Sequence, residues 1–300
     1  MSEKSLRPKS DTQWLVHGQR SELVVLDVTD PMTAKAIYDS YALFEAPNWT
    51  LDGKWLIING DGRLWRISTD GTIGPERINT APIENLNNDH VLDPNGTHIF
   101  VSSNDGHLYR VALGGGTPER ITHQTDQRHY LHGISPDGQE LAYVALHREG
   151  ERVVTRIATI SVNGGESTYL TDGTCPVDGP EYSPDGEWIY FNSEAAATQA
   201  GHAQIFRIRR DGTGLEQLTF DERVNWFPHL SPDGKHMVYI SYPSGTLGHP
   251  PNKEVELRLM DPNGGPWTTL DAFHGGQGTI NVTSWSPDSR KIAYMRFPLS

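Results

Sequence analysis

The chain of 300 residues contains one cysteine, Cys175, so no disulfide can form within it. Nothing near Cys175 in sequence would activate its thiol, which reads as inert. No stretch approaches the 18 or so consecutive apolar residues of a membrane-spanning helix. There is no Lys/Arg-rich run either. The charge balance goes the other way, with 38 Asp+Glu against 25 Lys+Arg and a formal net charge of −13, so nucleic acid is excluded as a partner. Residues 1–16, MSEKSLRPKSDTQWLV, lack the apolar core of about 7–15 residues found in a secretory leader. A soluble, cytoplasmic protein is therefore expected, or a periplasmic one if a leader had been removed. Residues 1–10 are polar and predicted to be flexible. A Gly-x-Ser-x-Gly nucleophile elbow is missing, which argues against a serine peptidase.

What the chain has in quantity is turn residues. Gly (30) and Pro (20) together make one residue in six, which suits many short strands rather than long helices. One turn is written repeatedly: TLDG (50–53), DPNG (93–96), SPDG (135–138), SPDG (183–186), SPDG (231–234) and SPDS (286–289). The fourth positions, 53, 96, 138, 186, 234 and 289, are spaced by 43, 42, 48, 48 and 55 residues, the period of four-stranded propeller blades. Proline at the second position presets φ for a type I turn, Ser or Asp at the first can bond the backbone ahead, and glycine at the fourth accepts positive φ. Ser289 lacks that freedom, so strain is expected there. Each turn is followed by a short apolar run such as LAYVAL or WIYF, then by segments such as GHLYRVALGGGTPERIT and QIFRIRRDGTGLEQLT. Each unit thus reads as strand A, turn, strand B, strand C, glycine turn, strand D. GGG at 114–116 falls in a C–D turn and is not a phosphate cradle.

The count closes a ring. The C-terminal unit stops after strands A and B, and residues 22–40 supply an orphan C–D pair. The predicted fold is all-β: a six-bladed β-propeller of four-stranded antiparallel blades, with N-terminal strands completing the C-terminal blade. The expected organisation is a flexible segment 1–10 and a single propeller over 11–300. Its blades fall at about 42–80, 86–122, 128–171, 177–219, 224–271, and 279–299 completed by 11–40.

Units of the form x-W/Y-SPDG-x-x-h-h-Y (h, apolar), then h-Y-R-h-DG, then R/Q-L-T, resemble those of TolB-like propellers over roughly residues 20–299. The same repeat occurs in the propellers of prolyl-oligopeptidase-like enzymes and in oligogalacturonate lyases. The resemblance implies the fold but not one function. TolB's additional N-terminal α/β domain has no counterpart here, and its periplasmic role is not carried over.

If strand A runs down the channel, the A–B and C–D turns share a bottom face and the B–C and D–A loops share the top. Length varies on top, at 148–155, 193–204 and 241–256, so the top face is the expected binding face. The segments upstream of the turns end in apolar residues but turn polar toward the mouth. The candidate binding residues there are Glu45, Asp89, His90, Arg128, His129, Tyr130, His132, Asp178, Glu181, Trp226 and His229. His and carboxylate are metal-ligand types, which makes His90, His132 and His229 candidates for a divalent metal, although no cofactor is required by any motif. The leading expectation is a non-catalytic scaffold that binds a protein or peptide. The alternative is a metal-assisted carbohydrate-active enzyme, a lyase or hydrolase acting on a small saccharide through a His-rich channel, as the lyase resemblance implies.

Overall fold

The computed structural model describes residues 15–299, so the expected flexible segment 1–10 lies outside the described residues. No helix occurs among them, and none is therefore long and apolar enough to cross a membrane. The strands form six antiparallel sheets arranged as a β-propeller. Five are four-stranded meanders spanning 45–78, 86–120, 128–169, 177–217 and 224–275, here blades 1 to 5. Their inner strands are Glu45–Trp49, Leu86–Leu92, Arg128–Ile134, Val177–Tyr182 and Val224–Leu230, and neighbouring inner strands pack side by side.

Blade 6 closes the ring. Ser21–Asp27 lies between Asp30–Ser40 and the C-terminal strand Lys291–Arg296, running from Glu22 opposite Arg296 to Asp27 opposite Lys291. Its inner segment is not a regular strand. Among the described residues it meets the sheet through an isolated bridge, Trp285 opposite Ile292, and through backbone bonds such as Ala293 N to Ser284 O (2.9 Å) and Met295 N to Thr279 O (3.0 Å). The apolar alternation of each blade fills the space between blades: Leu131, Tyr143 and Ala158 of blade 3 pack on Val91 and Phe100 of blade 2, for example.

The repeated turn holds the bottom face. In blade 4, Ser183 Oγ donates to Asp185 Oδ1 (2.5 Å) and accepts from Trp188 N (2.9 Å), while Gly186 N donates to Ser183 O (2.8 Å). The five glycines at the fourth position all have φ between 67° and 74°. Successive turns in the middle of the chain also lie close together: a Cβ on Gly138 would sit 3.5 Å from Pro94, and one on Gly186 3.6 Å from Pro136. Ser289 has φ 62°, the strained conformation expected of it, and its Oγ accepts a hydrogen bond from Asp233 N (3.0 Å) in the adjoining turn.

Two expected loops are shorter than their sequences suggest. Residues 148–155 are mostly strand, because Glu140–Glu149 and Arg152–Ser161 pair through to a tight hairpin at Gly150, φ 64°. The strand Lys253–Met260 likewise absorbs the end of 241–256, leaving 243–252 as the loop.

Candidate functional site

The pairing register of the inner strand slips in all five four-stranded blades, between Glu45 and Asn48, Leu86 and His90, Leu131 and Gly133, Asp178 and Glu181, and Trp226 and His229. In three of them the residue at one repeat position, Ala46 (φ 53°), Gly179 (62°) or Phe227 (53°), adopts positive φ. A bulge of this kind re-aims the side chains beside it. The residues just before this slot are Glu45, Asn88, Tyr130, Asp178, Trp226 and Asn281. Four of these, Asn88, Tyr130, Asp178 and Asn281, line one cleft of about 260 Å³ at the channel's top end. Asp89, Arg128, His132, Phe227, His249 and Gln277 complete most of its wall.

The irregular inner segment of blade 6 forms the far side of this cleft. Thr279, Ile280, Asn281 and Val282 are buried, and Ala46 N of blade 1 donates to Gly278 O (2.8 Å). His132 reaches from blade 3 across the channel, where its Nδ1 donates to Asn281 O (3.1 Å).

Charges alternate along the cleft. His132 Nε2 lies 3.1 Å from Asp178 Oδ1, and His249 Nε2 lies 3.6 Å from Asp178 Oδ2. Burial alone would depress the His132 imidazole, but Asp89 and Asp178 together raise it to about 9, so it holds a proton at neutral pH. Burial opposes ionisation of Asp178, yet hydrogen bonds from His132 and His249 hold its carboxyl well below the usual carboxylate range. Asp89, 4% exposed, is pushed up to about 6 by burial, only partly offset by His132. His249 is held by Gln277, which accepts from its Nδ1, and rests on Trp226 with ring centroids 4.5 Å apart. The lining contains no Ser, Cys or Lys, and the Thr155 hydroxyl accepts a hydrogen bond from Val177 N.

Of the candidates from sequence, Asp89, Arg128, Tyr130, His132 and Asp178 come together on the cleft wall. The others lie elsewhere. Glu45 is buried behind Asn88, whose Nδ2 donates to its Oε1 (3.1 Å), and burial raises its carboxyl to about 8. His129 bonds Gly106 O through Nδ1 (2.7 Å) between blades. Trp226, 7% exposed, packs beneath His249 and Phe227 and does not line the cleft. Glu181 and His229 form a buried pair (2.5 Å) lower in the channel, with Thr283 Oγ1 and Leu230 N also donating to Glu181.

The three metal candidates do not converge. His229 uses both ring nitrogens, on Glu181 and Ile280 O. His132 is divided between Asp178 and Asn281. His90 Nδ1 bonds Asn59 Oδ1 (2.7 Å), and burial depresses this imidazole to about 3. Among the described residues no three His, Cys, Asp or Glu side chains are grouped so as to hold a metal ion. Sequence reasoning missed His249, Gln277 and Phe227. The long 241–256 insertion was the available signal for His249; Gln277, in the D–A link GGQGT, carried none.

Comparison with known proteins bears on the same architecture. Residues 133–250 match the family model described as the TolB β-propeller domain. An uncharacterized protein of Agrobacterium fabrum is 39% identical over 267 residues, covering 88% of each chain. A solved Agrobacterium tumefaciens chain, provisionally assigned as TolB, superposes with a TM-score of 0.86 at 37% identity, covering 93% of this chain and 99% of that one. TolB from Acinetobacter baumannii superposes with a TM-score of 0.58 at 19% identity, a likeness of fold. This chain covers 92% of itself in that match but only 63% of the Acinetobacter protein.

Proposed function

The chain belongs to the TolB-like β-propeller family, and from that premise we propose that it is a non-catalytic scaffold whose top-face cleft binds a peptide segment of a protein partner. The observation that carries this reading is the chemistry of the cleft wall. Five carboxamides, Asn87, Asn88, Asn104, Gln277 and Asn281, line it. Part of their capacity is used within the protein, as where Asn281 Nδ2 donates to Gln277 Oε1 and Asn88 Nδ2 to Glu45 Oε1; the N–H groups and lone pairs that remain are of the kind a peptide main chain complements. Tyr130 and Phe227 supply apolar surface for side chains between them. Hydrogen bonds within the protein, such as Gly278 N to Asn281 Oδ1 (2.8 Å) and Asn88 Nδ2 to Glu45 Oε1 (3.1 Å), fix these groups before any ligand arrives, which lowers the entropic cost of binding.

The metal-assisted lyase or hydrolase acting on a small saccharide gains no matching support, since His90, His132 and His229 point to separate partners. The likeness to TolB, whose role is periplasmic, favours the periplasmic alternative over the cytoplasmic expectation.

The test uses short peptides selected by display on the intact protein. Replacing loop 243–252 by a short link removes His249 and should weaken those peptides by about tenfold or more, roughly 1.4 kcal/mol. Trp226→Ala, which undercuts the same loop, should weaken them in the same direction. Unchanged affinity in both variants would refute the top-face site.

A further inference from the structure

The proposed peptide site has more unpaired acceptors than donors at one place. Asp89 and Asn88 are consecutive, both buried, and both on the cleft wall. Asn87 Nδ2 donates to Asp89 Oδ2, but Asp89 Oδ1 accepts no hydrogen bond from any described residue. Asn88 spends its amide nitrogen on Glu45 and leaves its Oδ1 likewise without a donor among the described residues. Both oxygens are open to the cleft rather than sealed in the protein, so their lone pairs are available to a donor that a ligand brings.

We propose that this corner of the cleft is an ammonium site, in which Asp89 and Asn88 receive the –NH3⁺ of a peptide α-amine or of a lysine side chain. The charges around it agree. Asp178 is already matched by His132, with His249 on its other side. Arg128 sits toward the rim, its Nη2 on Asn104 O (2.9 Å) and its guanidinium over the Tyr130 ring at 5.8 Å. Among the described residues Asp89 has no ion-pair partner within bonding distance, only the longer-range fields of His132 and His249. An ammonium carries three N–H donors and one positive charge, which are the two things this corner lacks. Glu45, behind Asn88, is held largely protonated by burial at pH 7 and adds little charge.

This inference rests on the peptide-binding reading, and its test separates the two. The probes are Phe-Ala-Ala-amide with a free amine, its N-acetyl form, and N-acetyl-Phe-Ala-Lys-amide, titrated by saturation-transfer NMR at fixed ionic strength. At least one of the two amine-bearing probes should bind about tenfold more tightly than the acetylated peptide without lysine, and which one does so identifies the source of the amine. Binding should tighten as pH rises through about 6, where Asp89 ionises. With the unaltered protein, methylammonium should compete and tetramethylammonium, which has no N–H, should not. Asp89→Asn should abolish the discrimination against the acetylated form.

If neither amine-bearing probe binds more tightly than the acetylated peptide without lysine, or if the discrimination survives Asp89→Asn, the ammonium site is overturned and the peptide site is left standing. Binding of every probe undiminished by loss of loop 243–252 would overturn both.

Discussion

At the scale of single residues, the channel divides into groups that hold the ring and groups that face a ligand. Glu181 belongs to the first. Its carboxylate takes hydrogen bonds from His229, Leu230 N and Thr283, so it ties blades 4, 5 and 6 together in a buried setting. Glu181→Ala leaves His229 without its partner and should cost about 3–5 kcal/mol, read by chemical denaturation. A variant of unchanged stability would show that the pair is not structural.

Glu45 is a different case. Its folded pKa is raised to about 8 above an ordinary 4.5, so the folded protein keeps a proton that the unfolded chain releases. Stability from this group is complete below pH 4.5 and lost progressively as pH rises toward 8. Glu45→Gln, which keeps the acceptor for Asn88, should therefore stabilise the protein at pH 8 by an amount on the order of 1–3 kcal/mol. It should make little difference at pH 4. Thermal unfolding at the two pH values checks both signs.

At the scale of elements, the repeated turn and the bulged inner strand have opposite tasks. The turn is read directly from sequence because Ser, Pro, Asp and Gly each have a local reason to be there. Even the strain at Ser289 was visible in the missing glycine, while its bond to Asp233 N, which lies in another blade, was not. Gly234→Ala meets no atom closer than Pro184 at 4.0 Å, so its penalty comes from φ 70° alone. It should cost about 1–2 kcal/mol and leave peptide affinity untouched, as denaturation and titration together would show.

The bulges were not legible. Ala46 and Phe227 are not residue types that announce positive φ, and the break depends on pairing with the next strand. The irregular inner segment of blade 6 was hidden too, since its alternation resembles a strand.

At the scale of the whole molecule, blade number and ring closure followed from the period and from the two half-units at the chain ends. These are one-dimensional properties of a repeat, and a sequence carries them well. The site is a convergence of side chains from several blades. Position within the repeat put Asp89, Arg128, Tyr130, His132 and Asp178 near the mouth. It could not distinguish them from Glu181 and His229, which sit only a few residues farther down comparable strands and face one another. His249 enters from a loop outside the repeat, where spacing has no meaning.

A peptide is expected to bind in the cleft between Asp89, Asp178 and His249. A crystal structure of the protein with a display-selected peptide decides this. Peptide density should lie inside this cleft, with main-chain hydrogen bonds to Asn87, Asn88, Asn104, Gln277 or Asn281. An empty cleft, with the peptide lying against an outer strand or on the bottom turns, would contradict it.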